Sequence, residues 1–501
     1  MLRTLRMVIL VMVLTAPAAG VWAQDLVVPG SRGAAMGGSM AAAVDDGYGA
    51  WYNPAMLVTV EDFKFGIQYA ALFSDVRTSV KDYGSLGHIP YMQVFDADDK
   101  LLQQQTRLRV DELFGREAEP KSLHLIDMHF ALPVQRMIPK FPKRAAIGGY
   151  ISVPGAGTSI VSVKGQTPDQ PFFPVMGSRI QRLKMVVGGG VELIDEVLSI
   201  GASVSILANL DGNVGSLTPM STFDPTVAQG EQEKPNPSKA TFGQEIATAI
   251  TPQFGLLVQP VKGIEIGAYY RFAQSMDLRF DVAAGVDVNM GYKLEAELPY
   301  YLMGSFFFVP AATGLGVSVS LVPDLIVSAQ LDYVFWSDMS KKINISNFNV
   351  EPSVLNDQGG LTPLEEYGHF KVRSYPVPPI HARNTFNPRA GLEYGMFKGF
   401  TKLRLGYSYN PSALEEDQKY QNMLMDNSYH TIAGGIGFSL NDPLEWIRLP
   451  IMLDFHALVN VLVDRTNRVG LDDPDGGYHA KGWVESSGFM YGFGVDLTIQ
   501  M

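Results

Sequence analysis

The sequence predicts an all-β fold, a transmembrane antiparallel β-barrel of about fourteen strands, and three observations predict it. Apolar and polar side chains alternate with period two in run after run. The connections between runs alternate between short and long. Beyond the N-terminus no apolar run approaches the ~20 residues that a helix needs to cross a bilayer.

The chain opens with a segment of a different kind. Arg3 and Arg6 form a short basic region, an apolar run follows from Met7 to about Ala19, and Val21-Trp22-Ala23 places small residues before Gln24. This is the layout of a secretory signal peptide over residues 1–23, with a mature chain expected from Gln24. The apolar run is too short to span ~30 Å of hydrocarbon as a helix. The absence of cysteine excludes a lipoprotein attachment site, a disulfide and a thiolate metal site.

Beyond it the composition keeps one regime, with no linker and no low-complexity block. Glycine is frequent (50 residues), aromatics make up 11% and charged residues only 18%. A soluble enzyme of this length would carry long amphipathic helices at a 3.6 period, which are scarce here. The net charge of −12 argues against a nucleic-acid partner, which wants a basic surface.

Fourteen runs can be placed, at 62–80, 122–134, 145–162, 180–194, 197–210, 244–259, 262–288, 301–321, 325–345, 384–397, 401–411, 428–440, 448–464 and 486–500. In the first, Phe65, Ile67, Tyr69, Ala71 and Phe73 share one face, and Lys64, Gly66, Gln68 and Ser74 the other. Ile200, Ala202 and Val204 alternate with Ser199, Gly201 and Ser203; Leu403, Leu405 and Tyr407 alternate with Lys402, Arg404 and Gly406. One such segment fits a one-sided soluble sheet equally well, but the even number and the spacing are those of bacterial barrels. Short connections fall at Asp195-Glu196, Pro260-Val261, Val322-Pro323-Asp324 and Phe397 to Phe400. Long ones fall at 81–121, 163–179, 211–243, 346–383, 412–427 and 465–485, as expected of periplasmic turns and extracellular loops.

Between the signal and the first strand, Gly33-Ala34-Ala35-Met36-Gly37-Gly38-Ser39-Met40-Ala41-Ala42-Ala43 precedes the acidic pair Asp45-Asp46, and Trp51-Tyr52-Asn53-Pro54-Ala55 follows. The small residues would let this segment pack closely inside a narrow lumen, and Pro54 biases Asn53 towards an extended conformation. The glycine pair, the acidic pair and the Asn-Pro-Ala box closely resemble the N-terminal plug of the FadL-like family of outer-membrane hydrophobic-compound transporters. More loosely, Tyr333 to Asp338, Arg389 to Tyr394 and Leu403 to Tyr409 look like later strands of that family. One departure is the end of the chain, Ile499-Gln500-Met501, where such barrels usually carry a terminal aromatic.

The resemblance implies a bacterial outer-membrane location, a plug over residues 24–57 carried by Gly37, Gly38, Asn53, Pro54 and Ala55, and a barrel over 58–501. It implies passive uptake of long-chain fatty acids or other hydrophobic molecules, with lateral release through a gap in the wall at the third strand. The expected partners are those small molecules, outer-membrane lipid and lipopolysaccharide, and the barrel-insertion machinery, with a monomer as the expected state. No cofactor and no metal is expected.

Particular residues suit this reading. Pro154-Gly155-Ala156-Gly157 falls inside the third run, where proline lacks a ladder donor and the glycines permit a bulge, so Pro154, Gly155 and Gly157 are candidates for the gap. An end-of-strand turn explains them equally well. Phe306 and Phe307 lie in an aromatic stretch next to a loop and could line an apolar groove or belong to an interfacial girdle. Lumen parity falls on Arg182, Lys184, Arg271, Arg279, Arg389 and Arg404. Arg271, Arg279 and Arg404 could hold a carboxylate, or simply pair with Glu192, Glu265, Asp281 or Glu393 across strands. Asp127 with His129 and Asp454 with His456 also share lumen parity, but no nucleophile motif accompanies them and no enzyme is expected. The alternatives are a plugged barrel that docks a secretion or surface-assembly system, a general porin and a barrel enzyme.

Overall fold

A strand of alternating pattern can bury its polar face only if the opposite, apolar face meets an apolar solvent, and its backbone can be satisfied there only if the sheet has no free edge. The chain meets both conditions. In a computed structural model, residues 28–81, 122–156, 183–208, 248–289, 293–322, 324–339, 382–414, 426–441, 450–470 and 481–501 are described, together with short strand pieces elsewhere.

Fourteen strands form the barrel. They are β1 (Lys64–Lys81), β2 (Ser122–Pro133), β3 (Ala145–Ala156), β4 (Leu183–Ile194) and β5 (Leu198–Ala208). Next come β6 (Thr248–Val261), β7 (Ile264–Arg271), β8 (Ala312–Val322) and β9 (Leu325–Val334). The last are β10 (Thr385–Met396), β11 (Thr401–Asn410), β12 (Tyr429–Asn441), β13 (Pro450–Leu462) and β14 (Lys481–Gln500). Each pairs antiparallel with its sequence neighbours, and β1 closes on β14 from Lys64↔Gln500 to Lys81↔Trp483. Phe63 and Met501 finish the seam, exchanging backbone hydrogen bonds of 3.1 and 2.8 Å.

The burial is inside out. Phe65, Ile67, Tyr69, Met128, Val204, Leu331, Leu405 and Phe493 are exposed, whereas Gln68, Asp127, Ser203, Gln330, Arg404 and Asp496 are buried. A water-soluble domain would place these sets the other way round. The outward face is the lipid-facing belt of an outer-membrane barrel and the inward face is a polar lumen. Among the described residues no helix is long and apolar enough to cross a membrane, so the strands do the crossing.

At one end the connections are tight. Lys262-Gly263 joins β6 to β7, two residues later than the pattern placed the turn, with Gly263 at φ 86°. Asp324 and the pair Phe397-Lys398 also take positive φ in the turns before β9 and β11.

Two expected barrel runs are corrected. The alternation of 262–288 continues past the end of β7 at Arg271, but Gln274–Asn289 belongs to another sheet. It forms a hairpin with Lys293–Val309, and this hairpin joins Asn213–Met220, Asn236–Gly243 and Phe348–Asn349 in five strands outside the barrel sheet. Likewise 301–321 is split at Pro310-Ala311, and only Ala312–Val322 is wall. A period-two pattern records one-sided burial, and a strand leaving the bilayer to enter a loop sheet keeps it.

Candidate functional site: the N-terminal segment in the lumen

The segment from residue 28 to residue 60 lies inside the barrel. It contains two short helices, α1 (Ser31–Ala35) and α2 (Gly49–Tyr52), and a 3-10 helix over Pro54–Thr59. Helices of four to six residues do not persist alone, so packing against the wall must hold them. Gly37 and Gly38, at φ 65° and 78°, turn the chain after α1, a conformation that side chains rarely adopt. Asn53 is extended (φ −163°) and caps the 3-10 helix, its Oδ1 accepting the Ala55 N–H at 3.1 Å. Its Nδ2 donates to the carbonyls of Ala41 (2.8 Å) and Leu256 on β6 (3.0 Å), so one fully buried amide ties two parts of the segment to the wall.

The wall is cut back to receive this backbone. A Cβ on Gly201 would stand 2.3 Å from Ala55 N, and on Gly255 2.1 Å from Asn53 Oδ1. On Gly267 it would stand 2.0 Å from Ala41 O, and on Gly406 2.1 Å from Gly37 N. These glycines sit in cross-strand register, Gly201 opposite Gly255, Gly267 opposite Gly316 and Gly391 opposite Gly406. They form a shallow floor around much of the barrel, on which the segment lies backbone to backbone.

Charges anchor the first half. Arg32 donates from Nε and Nη2 to the two oxygens of Glu393 on β10 (2.8 and 3.3 Å) and from Nη1 to Asp45 (2.9 Å) and the Ala43 carbonyl (2.7 Å). Arg404 on β11 donates to the same Glu393 (2.6 Å) and to Asp454 on β13 (2.5 Å). Glu393 and Asp454 thus balance two buried guanidinium groups. Partial burial would lift the half-exposed Asp45 carboxyl, but Lys64 and Arg32 hold it well below the usual range. Burial keeps its neighbour Asp46 above that range, although His129 pulls the other way. Beside this network, Arg389 joins Asp332 (2.7 Å) and the Gly37 carbonyl (3.3 Å), and Gln330 Oε1 accepts the N–H groups of Met40 and Ala41.

Trp51 anchors the second half. The Arg271 guanidinium and the Lys184 ammonium each lie 3.2 Å from the centre of its ring. Its carbonyl accepts from Arg271 Nη2 (2.7 Å) and Gln253 Nε2 (2.8 Å). Tyr48, packed on His129 with ring centres 4.5 Å apart, shares Gln68 Oε1 with the Gly30 N–H.

Above the segment, Trp336, Met339, Ala382, Ala413 and Leu414 fold inward from the loops and pack with Phe308, Tyr269 and Ala41 in one buried apolar cluster. Sequence reasoning missed this cover, whose members lie in six separate stretches without common periodicity.

The other expected site residues scatter. Pro154 and Gly155 lie at the far end of β3, where Leu125↔Pro154 and His124↔Ala156 leave Gly155 as a bulge. The β3–β4 register runs from Ala145↔Val191 to Ser152↔Lys184, below that bulge. Gly157 lies outside the described residues. Arg279 was expected in the lumen wall, but it is on the hairpin of the outer sheet, opposite Met303. Phe306 and Phe307 are on the same hairpin, Phe306 at a register shift. Arg182 also lies outside the described residues. Among the described residues no three metal-ligating side chains come together.

No protein-family model matches the sequence, and comparison with curated proteins returns no significant match. Solved structures do match. A FadL homologue of Pseudomonas aeruginosa aligns over 95% of this chain and 99% of its own, with TM-score 0.56 and 14% identity. The toluene transporter TodX of Pseudomonas putida aligns over 95% and 99%, with TM-score 0.51 and 15% identity. At these identities the likeness is one of fold.

Proposed function

Because the chain has the FadL-type fold, we propose that it is an outer-membrane channel for passive uptake of hydrophobic compounds, long-chain fatty acids among the candidates, with residues 24–57 as its plug and lateral release at β3. The observation that carries this reading is the glycine floor. A fourteen-stranded lumen is wider than side chains alone fill, and this one is shaped to hold a backbone rather than to stay open. A general porin would keep a water-filled constriction instead.

Strand geometry supports an exit at this position. From Ala145 to Pro154 the strand rises roughly 30 Å, about 23 Å along the normal at a tilt near 40°, which is close to the outer edge of a ~25 Å apolar band. A proline without a donor beside a bulge weakens the ladder there, and unpaired backbone is tolerated at that depth only at the interface or beside a cavity. Ligand caught among the outer loops would leave through this break without passing the segment below.

Two measurements test the proposal. Deleting 24–57 should raise single-channel conductance in planar bilayers, and unchanged conductance would mean that the segment does not plug. Closing the break with a disulfide between Val153→Cys and Leu183→Cys should block uptake of a labelled hydrophobic probe and reduction should restore it. The chain's lack of native cysteine keeps that readout clean. Full uptake in the crosslinked protein would rule out the lateral route.

A further inference from the structure

One connection at the tight-turn end of the barrel departs from the others. The described turns there are residues 195–197, 262–263, 323–324 and 397–400, whereas β2 and β3 are joined by residues 134–144. This longer turn carries Arg136, Lys140, Lys143 and Arg144 and no acid, in a chain of net charge −12. It also points large apolar side chains outward: Met137 is 55% exposed, Ile138 51% and Phe141 37%. It opens with one helical turn over Val134–Met137, after which Ile138 N–H donates to the Val134 carbonyl (2.8 Å) and Phe141 N–H to the Ile138 carbonyl (2.9 Å). Ion pairs hold it on both sides. Arg136 reaches Asp62 ahead of β1, and Lys143 reaches Asp195 in the β4–β5 turn (2.6 Å). The turn therefore runs along the rim of the wall instead of hanging free below it. Lys140 and Arg144 are exposed and pair with no acid among the described residues.

We infer that this turn is a membrane-surface anchor that gathers anionic phospholipid in the periplasmic leaflet beside β2 and β3. Cations interleaved with exposed apolar side chains suit a segment at headgroup level, where the apolar groups enter the acyl boundary and the cations meet phosphate. The turn is continuous with the outward faces of β2 and β3, whose exposed Met128 and Ile147 belong to the lipid-facing belt. Left in water, Met137, Ile138 and Phe141 would stand beside an apolar phase that takes them up. Lys140 and Arg144 supply the preference for negative lipid, since each basic residue near an anionic surface adds about fivefold in affinity. An acidic soluble protein would satisfy the charges, but ion pairs that keep the turn on the rim of the wall favour the bilayer.

The test uses Pro139→Cys labelled with bimane, a single reporter on the turn because the chain has no other cysteine. The full chain is reconstituted in phosphatidylcholine vesicles that contain acyl-brominated phosphatidylglycerol or, in parallel, acyl-brominated phosphatidylcholine at the same low mole fraction. Brominated phosphatidylglycerol is expected to quench the reporter at least about threefold more strongly. With Lys140→Gln and Arg144→Gln added, that ratio should fall to about one. With Met137→Ser and Phe141→Ser added instead, both lipids should quench less. All four side chains are exposed, so each variant should stay heat-modifiable, which checks its folding. Quenching by neither lipid would place the turn in water, overturn the inference and favour a soluble partner. Equal quenching by the two lipids before the basic residues are changed would overturn the anionic preference. An undiminished ratio in the folded Lys140→Gln/Arg144→Gln protein would remove these cations as its cause.

Discussion

The Arg271 guanidinium lies 3.2 Å from the centre of the Trp51 ring and donates to the Trp51 carbonyl at 2.7 Å, so one wall residue holds both the side chain and the backbone of the lumenal segment. A desolvated cation–π contact is worth about 2 kcal/mol. Arg271→Ala should therefore loosen the second half of the segment and raise the frequency of open-channel events about tenfold or more, while the barrel stays heat-modifiable. Unaltered gating in planar bilayers would show that Trp51 is held by other means.

The glycine floor makes a steric prediction. Gly201→Ala puts a methyl 2.3 Å from Ala55 N, and Gly406→Ala one 2.1 Å from Gly37 N; both neighbours are backbone and cannot rotate away. Either substitution should displace the segment and increase its cleavage by added protease. Gly434→Ala, whose Cβ would find its nearest atom at 3.6 Å, is the matched control and should behave as wild type. Equal protection in all three variants would refute the floor.

Glu393 balances Arg32 and Arg404. Glu393→Gln leaves two buried guanidinium groups with one carboxylate fewer, a loss of about 3–5 kcal/mol for a broken buried pair. The expected outcome is a lower temperature for the gel-mobility shift on heating. Pairing the change with Arg404→Met should recover part of the loss, because an apolar replacement removes the stranded charge. Additive losses would argue against a shared network.

Asp426 gives a pH dependence outside the membrane. Burial pushes its carboxyl up to about 6 from an ordinary 3.8, against the opposing Ala413 N–H (2.7 Å) and Arg465; Ser412 also donates to it (2.9 Å). The packed loop therefore prefers the protonated form. Its packing should be firmest below about pH 3.8, weaken as pH rises to about 6 and be level above. Hydrogen exchange at Ala413 and Leu414, corrected for intrinsic rates, should rise across that window and be flat in Asp426→Asn. A fall across the window in wild type would reverse the assignment.

The barrel was legible because parity is local. Whether Ile200 or Ser203 faces lipid follows from the alternation of its own strand, and the same reading put Gly201 with Ser203 and Gly406 with Arg404. What those glycines are for was not legible, because their function depends on which backbone lies opposite. The Arg404–Glu393 pair was one of several pairings that parity allowed, and only the register Glu393↔Arg404 selects it.

The sequence by itself therefore determined the fold class, the face of each wall residue and the positions of most turns, since all three depend on neighbours along the strand. Tertiary structure alone decided that Arg279, Phe306 and Phe307 stand on an outer hairpin, because alternation does not record which sheet a strand joins. It alone placed Trp51 beside Arg271 and Lys184, and Arg32 beside Glu393, across separations of more than a hundred residues. Such contacts arise where the curvature of a closed sheet brings distant strands around one enclosed segment, and no local pattern in the chain encodes that convergence.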